Sequence, residues 1–261
     1  MTPGLWVYAI ARAGHPSPER ADAIDGSSNV EAITEGALMA FATPIDLRAY
    51  SQQTVNEHAG DIEWIGAIGY RHQAVMHALM SGGTVIPLRA FTLFGSKQMV
   101  QAQLRSGAGQ FTKVLDRLDG KQEWTLRIEF EPARWNEALT SRVDSLRTMM
   151  SDIGAAAPGR AFLLKKKLED ERKKASRDAE LQVVAEIEKA VLDKLRCETV
   201  AESREARDGA FPQINVLLNR DEESILQELY HDLSSRYASE GITLAISGPW
   251  PPYTFASVTN G

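Results

Sequence analysis

Residues 242–255 read ITLAISGPWPPYTF, a short strand running straight into a rigid, aromatic tail. Ile242, Leu244 and Ile246 alternate with Thr243, Ala245 and Ser247, the period of a half-buried strand. Gly248 suits an exit from the strand, because glycine tolerates positive φ. Pro249, Pro251 and Pro252 lack an amide hydrogen and fix φ, which predicts an extended strap close to polyproline II. Trp250, Tyr253 and Phe255 are its aromatic anchors. Such a strap either packs onto its own protein or offers a docking surface to another chain.

Upstream, residues 5–11 (LWVYAIA) are apolar on both faces, as in a strand covered on two sides. Residues 14–28 carry two prolines and two glycines and read as a loop. Residues 30–34 and 37–43 form two strands about Glu35-Gly36, with Pro44 closing the second. A helix is predicted over 61–80, with Ile65, Ile68, His72, Val75 and Leu79 on one stripe and Gly82-Gly83 at its end. A histidine on such a stripe is expected to be structural. Thr84 to Phe94 is extended but contains Pro87, so it is an edge strand or a bulge. Two short helices follow over 96–118. Trp124, Leu126, Ile128 and Phe130 then alternate with Thr125, Arg127, Glu129 and Glu131 in a strand with one dry face.

In the second half, a helix is predicted over 132–150, a connector over 151–159 and a long helix over 160–198. The long helix is apolar at its ends, and its middle, EDERKKASRD, reads as solvated. A strand over 211–219 and a helix carrying Ile225, Leu229, Leu233 and Tyr237 lead to the final strand. The expected fold class is α+β in two domains. Residues 1–131 are a ferredoxin-like sheet with helices; residues 132–261 are an α+β domain with a long helical hairpin and the strap. No tandem repeat is evident.

Composition narrows the function. The net charge of −6 argues against binding nucleic acid through phosphate neutralisation, and acids interleave the lysines of 165–174. The single cysteine, Cys197, excludes an intramolecular disulfide and fits a reducing compartment. No apolar run approaches the ~20 residues of a membrane span, and the N-terminus does not read as a signal peptide. Ser81-Gly82-Gly83-Thr84 lacks the lysine of a phosphate loop. No nucleophile elbow appears, and the five histidines lack zinc spacing. No catalytic, cofactor-binding or metal residues are assigned, and no cofactor is expected.

Three blocks carry a resemblance: Gly248-Pro249-Trp250-Pro251-Pro252-Tyr253-Thr254-Phe255; His72 with Thr84-Val85-Ile86-Pro87-Leu88-Arg89 and Thr92-Leu93-Phe94; and Gly120-Lys121-Gln122-Glu123-Trp124. Taken in their order along the chain, they resemble the gas vesicle protein F/L family. The family usually reads Arg-Phe-Gly-Thr where this chain has Arg89-Ala90-Phe91-Thr92, a departure that bears on the local turn. The resemblance implies a non-catalytic assembly factor or minor structural component, in the cytoplasm and at the gas vesicle. Its partner would be the small apolar (GvpA-like) shell protein, with other vesicle accessory proteins as further partners. Val85, Pro87, Arg89, Phe91 and Phe94 are the expected contact. Two other readings stand beside it: an enzyme on a ferredoxin-like scaffold, and a small-molecule-binding regulatory module.

Overall fold

The structure, a computed structural model, describes residues 2–18, 21–27, 29–202 and 211–256. They divide into two compact units: 1–122 with 250–261, and 123–249. The sequence-based boundary at 131 differs from this division twice. The strand from 121 to 130 contributes its dry face to the second unit's core, and the strap returns to the first unit.

In the first unit, β1 (Pro3–Arg12), β2 (Glu31–Glu35), β3 (Leu38–Asp46) and β4 (Val85–Pro87) lie in the order β2-β3-β1-β4. Each of these pairs is antiparallel, and β5 (Leu93–Phe94) also pairs with β1. This is the strand order of a ferredoxin-like sheet, with one departure: the β1–β2 crossover contains no helix among the described residues. Pro16 and Pro18 disfavour one there. The crossover is pinned instead by Tyr8, whose hydroxyl accepts from Ile24 N–H at 3.0 Å and donates to Thr43 Oγ1 at 3.0 Å. Pro44 does not end β3, because Ile45 and Asp46 continue the pairing to Gly4 and Pro3. Proline removes one donor without displacing the residues beyond it.

The β3–β4 crossover holds α1 (Gln52–Glu57) and α2 (Ile62–Gly82). Asp61 caps α2 by accepting from Trp64 N–H at 3.0 Å. Its buried stripe is Ile68, His72, Val75, Met76 and Leu79, so Ile65 lies outside the core and Met76 within it. Two further helices, α3 (Lys97–Ser106) and α4 (Ala108–Leu118), complete the unit before the strap.

The second unit has β6 (Lys121–Phe130), α5 (Pro132–Arg142), α6 (Asp144–Ala155), α7 (Pro158–Lys194), β7 (Glu198–Glu202), β8 (Gln213–Asn219), α8 (Glu223–Tyr237) and β9 (Ile242–Trp250). Its sheet order is β7-β8-β6-β9. Numbered within the unit, that is again 2-3-1-4, here with helices in both crossovers. The chain therefore repeats one strand order in two units whose sequences show no repeat.

Several expectations for this unit change. The helix expected over 132–150 breaks at Val143 into α5 and α6, and the long helix ends at Lys194, with β7 beginning at Glu198. Residues 151–155 extend α6 rather than forming a connector, because Leu146, Met149 and Ile153 all pack on the core. The middle of α7 is not wholly solvated. Ala175 and Ala179 pack inward, and Trp135 Nε1 donates to Ser176 Oγ at 3.0 Å. Small residues there admit the ring of Trp135. Gly248 serves a similar purpose near the end of β9: a Cβ would meet Trp124 Cδ2 at 2.8 Å and the Glu123 carbonyl at 3.0 Å.

Candidate functional site

The feature that joins the sequence blocks is a buried hydrogen-bond node in the first unit. Trp6, on β1, points its indole N–H at His72 Nδ1, 3.0 Å away. An indole nitrogen can only donate, so Nδ1 must accept and the ring proton sits on Nε2. Two oxygens lie 3.1 Å from Nε2: the Leu88 carbonyl and the Tyr253 hydroxyl. One histidine thus ties the sheet, the segment after β4 and the strap together. Burial pushes the His72 pKa below its ordinary value, and the Leu88 carbonyl opposes that shift. Protonation would also set a second N–H against the Trp6 donor. Burial pushes the Tyr253 hydroxyl up to about 12. Both groups are neutral hydrogen-bonding partners near neutral pH, in keeping with a structural role for His72.

The strap closes over this node. Pro251, Pro252, Phe255 and Ala256 are buried. Arg117, on α4, donates to the Phe255 carbonyl at 3.2 Å and lies over its ring. The Ala256 N–H returns to the Pro252 carbonyl at 2.8 Å. Two details differ from expectation. The strap is not extended throughout, since residues 253–255 form a turn. Trp250, expected as an anchor, remains 39% exposed at the end of β9, while Phe255 is 2% exposed.

The segment from Val85 to Phe94 is one edge strand broken by a turn. Pro87 faces Ala9 and Leu93 faces Trp6 across the ladder, so Val7 and Tyr8 of β1 stand opposite residues 88–92. The excess forms a turn in which Thr92 N–H donates to the Arg89 carbonyl at 3.2 Å. Phe91 occupies its third position with φ 65, the one non-glycine at positive φ among the described residues. This is the position a type II turn reserves for glycine, and here phenylalanine holds the same backbone. Its ring packs at 5.0 Å from Trp6 and 6.2 Å from Trp64 and stays 37% exposed. Of the expected contact residues, Val85 and Pro87 are buried, Phe94 is partly covered, and Arg89 and Phe91 are exposed. The exposed ring and its left-handed backbone had one signal in the sequence, the departure from glycine.

Two further clusters of ionisable groups lie in the second unit. Arg142 pairs with Glu240 and lies 3.4 Å from Glu186, to which Tyr237 donates at 2.9 Å. Burial, with Glu186, pushes Tyr237 up to about 12. Cys197 is pushed up to about 11 by burial and by Glu222 and Glu198, so it rests as a thiol. Among the described residues no group of three or more His, Cys, Asp or Glu could hold a metal ion, and no helix is long and apolar enough to cross a membrane.

Comparison with known proteins agrees with this picture. The family model described as gas vesicle synthesis protein GvpL/GvpF matches residues 4–257. Gas vesicle protein L of Streptomyces sp. (strain CB03234) is 27% identical, over 97% of this chain and 92% of the relative. Gas vesicle protein F of the same strain is also 27% identical, over 96% and 98%. The crystal structure of GvpF from Anabaena sp. PCC7120 superposes with a TM-score of 0.70 at 15% identity, covering 99% of this chain and 98% of that one. That of GvpF from Microcystis aeruginosa gives 0.69 at 13% identity, over 97% and 99%. With a mixed helix-and-sheet fold shared with the GvpF structures and a family match along nearly its whole length, the chain belongs to the gas vesicle GvpL/GvpF family, which acts in gas vesicle formation.

Proposed function

We propose that this protein is a non-catalytic assembly factor or minor wall component that binds the small apolar shell protein of the gas vesicle and keeps it from aggregating, working in the cytoplasm and at the vesicle. A shell subunit that presents one apolar face to gas exposes that face to water until it is incorporated, and such a face aggregates. The observation that supports the reading is Phe91, an aromatic ring kept partly in solvent by a backbone conformation that disfavours it. With Val85 and Pro87 buried, the contact proposed is the turn, where Arg89 and Phe91 are exposed and Phe94 is partly so.

The experiment is retention of purified shell protein by the full chain and by its Phe91→Gly variant. Glycine removes the ring yet suits the positive φ, so the fold is retained. Wild type should hold the shell protein and Phe91→Gly should lose most of it at an unchanged far-UV spectrum. Equal retention by the two would move the contact elsewhere.

A further inference from the structure

Two exposed apolar helix faces of this chain carry opposite charge. The first is the outer face of α2. Ile62 is 85% and Tyr70 71% exposed, with Ile65 also exposed one turn after Ile62. Gly66 and Gly69 lie on the same face, and a Cβ at either would meet nothing within 4 Å. A neighbouring side chain could therefore approach the α2 backbone closely there. Between Tyr50 and Tyr70 the chain has three acids, Glu57, Asp61 and Glu63, and neither lysine nor arginine.

The second face is the start of α7. Phe162 is 72% and Leu163 67% exposed, on a helix whose inward residue nearby is Leu168. Lys166 and Lys167 lie one turn beyond them, at the i+4 positions. From Ser145 to Leu168 the chain holds five basic residues and a single acid, Asp152. The basic run is confined to the first turns of the helix, because Glu169, Asp170 and Glu171 follow directly. Arg160 and the three lysines at 165–167 make no ion pair among the described residues.

We infer that these faces are the two halves of one contact, in which the basic tip of α7 of one copy docks on the acidic, glycine-lined face of α2 of a second copy. The aromatic ring of Phe162 has a bare backbone to pack on, and Lys166 and Lys167 meet Glu57 and Glu63. Each copy carries both halves of the contact, so association can close a pair reciprocally or extend to further copies. The contact needs no shell protein.

Charge reversal tests it with the full chain. Sedimentation velocity over a concentration series should show reversible association of wild type that weakens as salt is raised. Lys166→Glu with Lys167→Glu should sediment as a monomer, and so should Glu57→Lys with Glu63→Lys. All four positions are exposed, so the fold survives, which circular dichroism checks. Mixing the two variants in equal amounts should restore association, since each now complements the other. A monomeric wild type at every concentration, or charge-reversed variants that associate like wild type, would overturn the contact. So would a monomer that co-sediments with lipid vesicles of phosphatidylcholine and phosphatidylserine and loses them on Lys166→Glu with Lys167→Glu, because the tip would then be a lipid-facing surface.

Discussion

The Tyr253 hydroxyl lies 3.1 Å from His72 Nε2, across 181 positions of sequence. Tyr253→Phe removes that oxygen and leaves the Leu88 carbonyl to receive the Nε2 proton. The loss should be about 0.5–1.5 kcal/mol, the net worth of one such bond. Phe255→Ala empties a buried site and should cost about 3–5 kcal/mol. Trp250→Ala should cost clearly less than Phe255→Ala, because Trp250 is already 39% exposed. Urea unfolding of the three variants, without any partner, checks the order. If Trp250→Ala proves the most damaging, the buried end of the strap is not what fastens it.

The lowered pKa of His72 carries a pH signature. An unfolded chain binds this proton below its ordinary value of 6.5, whereas the folded node resists it. The node's contribution is therefore complete above that value and is lost as the pH falls through the window down to the folded pKa. Wild type should lose more stability than His72→Gln between about pH 7.5 and about pH 5.5. Urea midpoints at the two pH values read the difference; equal losses would remove His72 from the account.

At Phe91 the usual ranking of alanine over glycine should reverse. Alanine keeps the left-handed strain and loses the ring, while glycine loses the ring and the strain together. Phe91→Gly should therefore be more stable than Phe91→Ala by about 1 kcal/mol. Thermal unfolding of the pair settles the sign.

Gly241 and Gly36 both sit at positive φ, 72 and 60. At Gly241 a Cβ would also meet Arg134 Cβ at 2.5 Å and Trp135 N at 3.0 Å, whereas at Gly36 it meets nothing within 4 Å. Gly36→Ala should cost about 1–2 kcal/mol. Gly241→Ala should cost substantially more, since backbone must move as well. Similar midpoints for the two would mean that α5 yields easily.

Much of the fold was legible because burial follows period. The alternation from Trp124 to Phe130 and the stripe through Ile68, His72, Val75 and Leu79 are local patterns, and the structure keeps both. Pairing between distant segments leaves no such trace. Nothing in the sequence around His72 specifies Trp6 or Tyr253 as its partner, although all three lie in segments that stand out. Nor does local composition distinguish Val85, buried beneath its neighbours, from Phe91, held outward by a turn. The exposed pair Phe162 and Leu163 was hidden for the opposite reason: an apolar pair at a helix start reads as core.

The return of the strap to the first unit sets a timetable for synthesis. At ~5–20 residues per second, Tyr253 is made roughly 10–40 s after His72. After Leu118 completes α4, 135 residues remain to be added before Tyr253, so for about 7–27 s the first unit has its sheet and helices made but lacks the hydroxyl that reaches His72. The first unit is therefore made in two instalments: its sheet and helices come first, and the strap that supplies Tyr253 and Phe255 follows only after the whole second unit has been synthesised.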